Sequence, residues 1–154
     1  VKYSIDTSGI LDGWRHYPPD IFPPVWERFE SLITSGDARA SDEVLRELKK
    51  KEGDETYAWC SAHPAMFLPL DAEIQQSVTE ILAVHPRLVE SGGKRSAADA
   101  FVIAVARLHK CAVVTGESPS GKIHKPRIPD VCDALGIEVL TLLGVFRREG
   151  WTFG

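Results

Sequence analysis

No stretch of this chain approaches the roughly 20 consecutive apolar residues needed to cross a bilayer, and its first residues lack the apolar core of a secretion signal. The protein is therefore expected to stay in the cytoplasm. Cysteine is scarce: Cys60, Cys111 and Cys132 are odd in number and far apart, which argues against a disulfide framework and for reduced thiols. Neither a Gly-x-x-x-x-Gly-Lys-Ser/Thr loop nor a Gly-x-Gly-x-x-Gly turn is present, which removes the common nucleotide-binding classes. His85 and His124 have no paired nucleophile, so a hydrolase triad has no support. Repeats, low-complexity tracts and internal linkers are also missing, and residues 1–154 read as one domain.

What the chain does contain suits a folded protein. Of its 154 residues, 44% are hydrophobic and 26% charged, enough to bury a core without disulfides or structural metal. The formal net charge of −4 speaks against a protein that coats nucleic acid non-specifically. It is compatible with an enzyme that gathers carboxylates around a divalent cation. Any phosphate-binding surface must then be local, with Lys49-Lys50-Lys51, Lys94-Arg95, or Lys122 with Lys125 and Arg127 as candidates. Each of these groups taken alone reads more simply as solvated lysines and arginines.

The hydrophobic pattern alternates between short strands and helices. Lys2 to Ile5 reads as a strand running into Asp6, and the four prolines between Trp14 and Pro24 predict an ordered loop with no helix inside. Val25, Trp26, Phe29, Leu32 and Ile33 repeat at helical spacing and stop at Ser35-Gly36. A brief strand over 37–40 precedes a helix capped by Ser41 or Asp42. Helices are also predicted over 55–63, from Asp71, from near Ser96, from Ile128, and over 142–149. Strands are predicted at Met66 to Leu68, at Ala112 to Thr115, and at Ile137 to Leu140. This order favours a parallel sheet covered on both faces.

In open parallel sheets, ligands bind beyond the carboxyl ends of the strands. Asp6 and Glu117 follow two strands at that edge, and Glu47 and Asp99 lie on helices that can start near it. Carboxylates brought together need a compensating cation, and hard oxygen ligands suit Mg²⁺ or Mn²⁺. Simpler roles exist for each. Asp6 could cap a helix, Ser96 with Asp99 could form a capping box, Glu47 could pair with Lys51, and Glu117 could decorate a turn.

These residues are also where the chain resembles PIN-domain proteins. Tyr3-Ser4-Ile5-Asp6-Thr7-Ser8 is similar to the family's first strand, with its metal-binding Asp and following hydroxyl. Val44-Leu45-Arg46-Glu47-Leu48 resembles the helix on which a Glu precedes Leu. Ala98 to Ala106 resembles the helix bearing an Asp followed by apolar and small residues, and Val113-Val114-Thr115-Gly116-Glu117 the strand whose Thr precedes the last acid by two positions. The tail, with Ile128-Pro129-Asp130-Val131-Cys132 and Glu149-Gly150-Trp151, is similar to a PIN-like group of bacterial proteins. The resemblance implies a three-layer α/β/α sandwich with a mostly parallel sheet, and a metal-dependent endoribonuclease, often the toxin of a toxin–antitoxin pair. It assigns Asp6, Glu47, Asp99 and Glu117 to Mg²⁺ or Mn²⁺, with Glu43 in reserve for Glu47. Thr115, with Thr7 or Ser8, would orient a carboxylate or water. RNA, most readily single-stranded or looped, is the implied substrate, cut to 5′-phosphate and 3′-hydroxyl ends. An antitoxin and a second copy of the chain are the implied protein partners. One departure is that many members carry Asp where Glu117 stands.

Other features carry less. Cys60-Ser-Ala-His63 looks like half a zinc site without a second half, and Cys60 is expected to be a partly buried helix residue. Trp14, in the proline-rich loop, is the better base-stacking candidate, while Trp26 and Trp59 are expected in the core. Two competing functions remain. One is a non-catalytic PIN-like scaffold. The other is a phosphatase with Asp6 as nucleophile, against which Ser8 stands where such enzymes place a second Asp.

Overall fold

The computed structural model describes residues 1–51, 54–89, 97–122 and 124–154. Lys94, Arg95 and Ser96 lie outside them. Five strands form one sheet: β1 (Tyr3–Ile5), β2 (Ala38–Ser41), β3 (Phe67–Leu68), β4 (Ala112–Val114) and β5 (Val139–Leu140). Among the described residues there are eight α-helices: α1 (Thr7–His16), α2 (Pro23–Thr34), α3 (Asp42–Lys50), α4 (Asp54–Ser61), α5 (Ala72–Val84), α6 (Ala98–His109), α7 (Ile128–Leu135) and α8 (Leu142–Glu149). Short 3₁₀ turns sit at Pro64–Met66 and Pro86–Leu88.

All four strand pairings are parallel, in the order β3-β2-β1-β4-β5. Ile5 of β1 pairs with Val114 of β4, so both strands end at one level of the sheet. The side-chain alternation of β1 assigns the layers. Ser4 points to one face, where its hydroxyl donates to the Val102 carbonyl of α6 at 2.8 Å. Tyr3 and Ile5 point to the other. There Tyr3 donates to Glu149 of α8 at 2.9 Å, and Ile5 meets Ile10, Val25, Trp26 and Leu142 of α1, α2 and α8. The result is an α/β/α sandwich, as expected, with an all-parallel sheet.

α6 has the composition of a helix buried all round: eight of its twelve residues are inaccessible, Ala98 to Ala100 and Val102 to Ala106. Its alanines let it lie close along β1, β2 and β4. On the opposite face α1 is brought against β4 by Gly9, where a Cβ would stand 2.8 Å from the Val114 carbonyl oxygen.

Two local expectations are corrected. α1 continues to His16, so Trp14 is helical, and α2 begins at Pro23. Proline is disfavoured inside a helix but suits the first turn, whose amides have no intrahelical acceptor; Pro23 and Pro24 therefore open α2. Trp14 packs edge-on against Trp26 and Trp59, with ring centroids 4.9 and 6.4 Å apart. It belongs to an aromatic cluster and not to a loop reaching for bases.

Candidate active site at the sheet switch point

The strand order reverses direction between β1 and β4, the place where doubly wound sheets open a crevice at their carboxyl edge. Asp6 leaves β1 there and Thr115 leaves β4. Asp6 occupies the N-cap position of α1 but makes no side-chain cap bond. Its Oδ2 instead accepts from Ser8 Oγ at 2.5 Å and Thr115 Oγ1 at 2.8 Å. Ser8 Oγ accepts in turn from the Gly116 amide, and Thr115 Oγ1 from the Glu117 amide. The carboxylate is thus clamped between the first turn of α1 and the end of β4, which are remote in sequence. It is 2% exposed, and burial pushes its pKa above the ordinary carboxylate range. The bonds from Ser8 and Thr115 act against that rise, while the charge of Glu47 adds to it.

Glu47 approaches from α3. Ser41 caps that helix through the Glu43 amide, and Val44 and Leu48 are buried beneath it, which fixes the face Glu47 occupies. One oxygen lies 3.4 Å from Lys51, the i,i+4 pair anticipated as the simple role. The other, Oε2, is buried and has no hydrogen-bond partner among the described residues. Glu43, the reserve candidate, is engaged with Arg46 on the same helix.

Glu117 is half-buried, and its Oε2 accepts from the Ile128 amide at 3.1 Å, so the carboxylate also caps α7. Its charge and that of Asp6 both act on the buried thiol of Cys132, although burial is the main cause of that thiol's rise to about 12. Asp99 is in the first turn of α6, 9% exposed. α6 packs against both β1 and α3, the elements that carry Asp6 and Glu47. The hydroxyls divide as follows: Ser8 and Thr115 hold Asp6, whereas the buried Thr7 hydroxyl has no partner among the described residues. The orienting role considered for Thr7 therefore has no contact behind it.

Among the described residues, no group of three or more His, Cys, Asp or Glu side chains stands ready to hold a metal ion. Mg²⁺ does not require one, since it commonly takes one or two carboxylates and fills its shell with water and substrate phosphate. A buried, charged oxygen without a donor is costly unless a cation comes to it. Glu47 Oε2, on a carboxylate whose charge acts on Asp6, meets that description, and the donor set fits a hard divalent ion.

Two features were not legible in advance. Asp130 was read only as part of a helix start, yet its carboxylate accepts from the amides of Ser120, Gly121 and Arg127 and buckles the loop after Glu117 onto α7. Burial alone would raise its pKa, but those amides hold it below the ordinary range. Asp12 stands out by no motif or spacing in the sequence. It projects from α1 onto Gly116, where a Cβ would lie 2.0 Å from its Oδ2, so a side chain at 116 would push the Asp12 carboxylate aside. The supposed half zinc site is otherwise occupied: Cys60 is buried, and His63 stacks on Trp59 and faces Glu30.

A parallel α/β sandwich with acidic residues at its switch point is the class these features define. The profile of a family described as a domain of unknown function (DUF4411) matches residues 3–153, nearly the whole chain, and the protein belongs to that family. A search of curated proteins finds no match. Among the described residues no helix is long and apolar enough to cross a membrane.

Proposed function

We propose that this chain is a PIN-like, Mg²⁺- or Mn²⁺-dependent endoribonuclease. The observation that carries the reading is the buried, unpartnered Oε2 of Glu47, a residue whose charge acts on the buried carboxylate of Asp6. The PIN-like order of Asp6, Glu47, Asp99, Thr115 and Glu117 along the chain supports it, as does the switch-point position of Asp6 and Thr115.

Asp6 and Glu47 would hold the ion, and Asp99 and Glu117 would complete its surroundings directly or through water. When bound, such an ion neutralises charge on the phosphodiester and makes a water acidic. The protein's own contribution is positioning. Ser8 and Thr115 fix the rotamer of Asp6 before any ligand arrives, and Glu117 holds α7 while Asp130 of α7 holds the loop between them. A cavity of about 630 Å³ opens beside that loop, lined in part by His85, Arg87 and Lys122. Arg87 and Lys122 are its cationic donors for RNA phosphates, with Asp130 the one acid among the described residues of its lining. An Asp6 carboxylate 2% exposed and clamped by two hydroxyls is poorly placed to be a phosphatase nucleophile. A toxin role with an antitoxin partner, and a homodimer, follow from the resemblance alone.

The test is purified protein with structured RNAs, with and without Mn²⁺. Cleavage in Mn²⁺, lost in EDTA and in Asp6→Asn and Glu47→Gln, is expected. Undiminished cleavage in EDTA or in both variants contradicts the proposal.

A further inference from the structure

α3 runs out in lysines, with Lys49 and Lys50 in its last turn and Lys51 at the C-cap. The partial negative charge of a helix C-terminus favours cations, so lysines at that position are ordinary. Lys51 is distinguished by what it touches. Its amide donates to the carbonyls of Glu47 and Leu48 at 3.2 and 3.3 Å, which anchors its backbone to the last turn. Its ammonium lies 3.4 Å from Glu47 Oε1. Arg87 and Lys122 line a cavity by the loop after Glu117, whereas Lys51 meets a carboxylate of the acidic centre itself.

An ordinary i,i+4 pair joins two side chains in water and contributes little. This pair is asymmetric: the Lys51 side chain is 51% accessible and the Glu47 side chain 10%. The two oxygens of Glu47 are unlike as well. Oε1 has a cation, while Oε2 is buried with no hydrogen-bond partner among the described residues. A divalent ion taken up by Oε2 leaves Oε1 with Lys51. An ammonium carries three N–H donors and no acceptor, so donors remain for the solvent side after one is directed at Glu47. Its flexible four-carbon stem lets it follow a ligand. A phosphate with one oxygen on the ion is thereby offered a second positive contact.

We infer that Lys51 is a phosphate-binding residue of the acidic centre, held by Glu47 Oε1 near the ion that Glu47 Oε2 takes up. The inference rests on the nuclease reading, in which Asp6 and Glu47 hold that ion. It has a consequence that a merely helix-stabilising lysine lacks. Toward the ion Lys51 is a like charge that offsets the charge of Glu47. Toward the phosphate it is an opposite charge and a donor. Removing it must therefore act on the two ligands in opposite directions. Lys49 stands two positions from Glu47, a spacing that does not share a helix face, and supplies a control of equal charge.

The experiment is calorimetry of Mn²⁺ binding, then of 5′-AMP and adenosine binding in saturating Mn²⁺, to wild type, Lys51→Met, Lys51→Arg and Lys49→Met. Adenosine isolates the part of the affinity that comes from the phosphate. Lys51→Met should bind Mn²⁺ roughly three- to tenfold more tightly. It should bind 5′-AMP about tenfold more weakly, with adenosine unchanged. Lys51→Arg should keep the phosphate affinity, and Lys49→Met should stay within about twofold of wild type for every ligand. Mn²⁺ and 5′-AMP weakened together in Lys51→Met, or neither altered, overturns the inference, while Mn²⁺ binding by wild type leaves the ion site standing. An equal loss of 5′-AMP affinity in Lys49→Met also overturns it, because the position of the charge would then be immaterial. A wild type that takes up no Mn²⁺ defeats the nuclease reading and the inference with it.

Discussion

Asp6 illustrates how one residue can stand in a structural position without performing the structural task. It sits where a helix cap would, yet its carboxylate serves Ser8 and Thr115. The consequence for pH is definite. Burial raises its folded pKa above the unfolded value, so the folded chain holds that proton more tightly. The associated stability is complete below the unfolded pKa and is lost as pH rises through the folded one. Metal-free Asp6→Asn should therefore melt higher than wild type at neutral pH. The gap should narrow in acid, as thermal melts from about pH 4 to pH 8 would record. A wild type more stable than the variant at neutral pH would contradict this. Thr115→Val removes one of the two bonds that orient Asp6, and cleavage should fall about 10- to 100-fold, as for groups that orient metal ligands. Thr7, whose hydroxyl touches no partner among the described residues, should tolerate Val with activity nearly unchanged. Burial pushes the Cys60 and Cys132 thiols up to about 12, so neither should react with a thiol reagent in the native state, and both should on unfolding.

At the scale of elements, most of the strand and helix order was legible because the local patterns are strong: a short strand pattern from Lys2 to Ile5 before Asp6, an alanine-rich stretch for α6, a serine cap before α3. The extension of α1 through Trp14 was not. Prolines 18 and 19 end a helix but say nothing of how far it runs before them. What holds α1 is Gly9 against the backbone of β4, a contact made between segments 105 residues apart. The candidate acids were legible as types at strand ends. That Glu47 would keep one oxygen unpartnered, and that Asp12 would reach Gly116, depended on side-chain directions that no spacing reveals. The buckle at Asp130 is testable at this scale. Asp130→Ala removes three charge-assisted bonds, discounted for partial exposure, and should cost about 1–2 kcal/mol. Hydrogen exchange should rise in α7 and the loop before it while β1 and β4 remain protected. Uniform loss of protection across the sheet would show that the buckle has no local role. Because Asp130 is held below the ordinary carboxylate range, its stabilisation is present above the unfolded pKa and fades as pH falls through the folded one.

For the whole molecule, a net charge of −4 leaves Arg87 and Lys122, in the cavity by the loop after Glu117, as local cations of the proposed site. On the proposed reading the carboxylates would hold an ion, and Arg87 and Lys122 would meet phosphate. RNA affinity should accordingly fall with rising salt, and Arg87→Ala with Lys122→Ala should flatten that dependence. The central claim is that Asp6 and Glu47 share one divalent ion, and calorimetric titration of Mn²⁺ into wild type, Asp6→Asn and Glu47→Gln addresses it most directly. Saturable binding in wild type that both variants lose is the expected result. Equal Mn²⁺ binding in all three, or none in wild type, would contradict it.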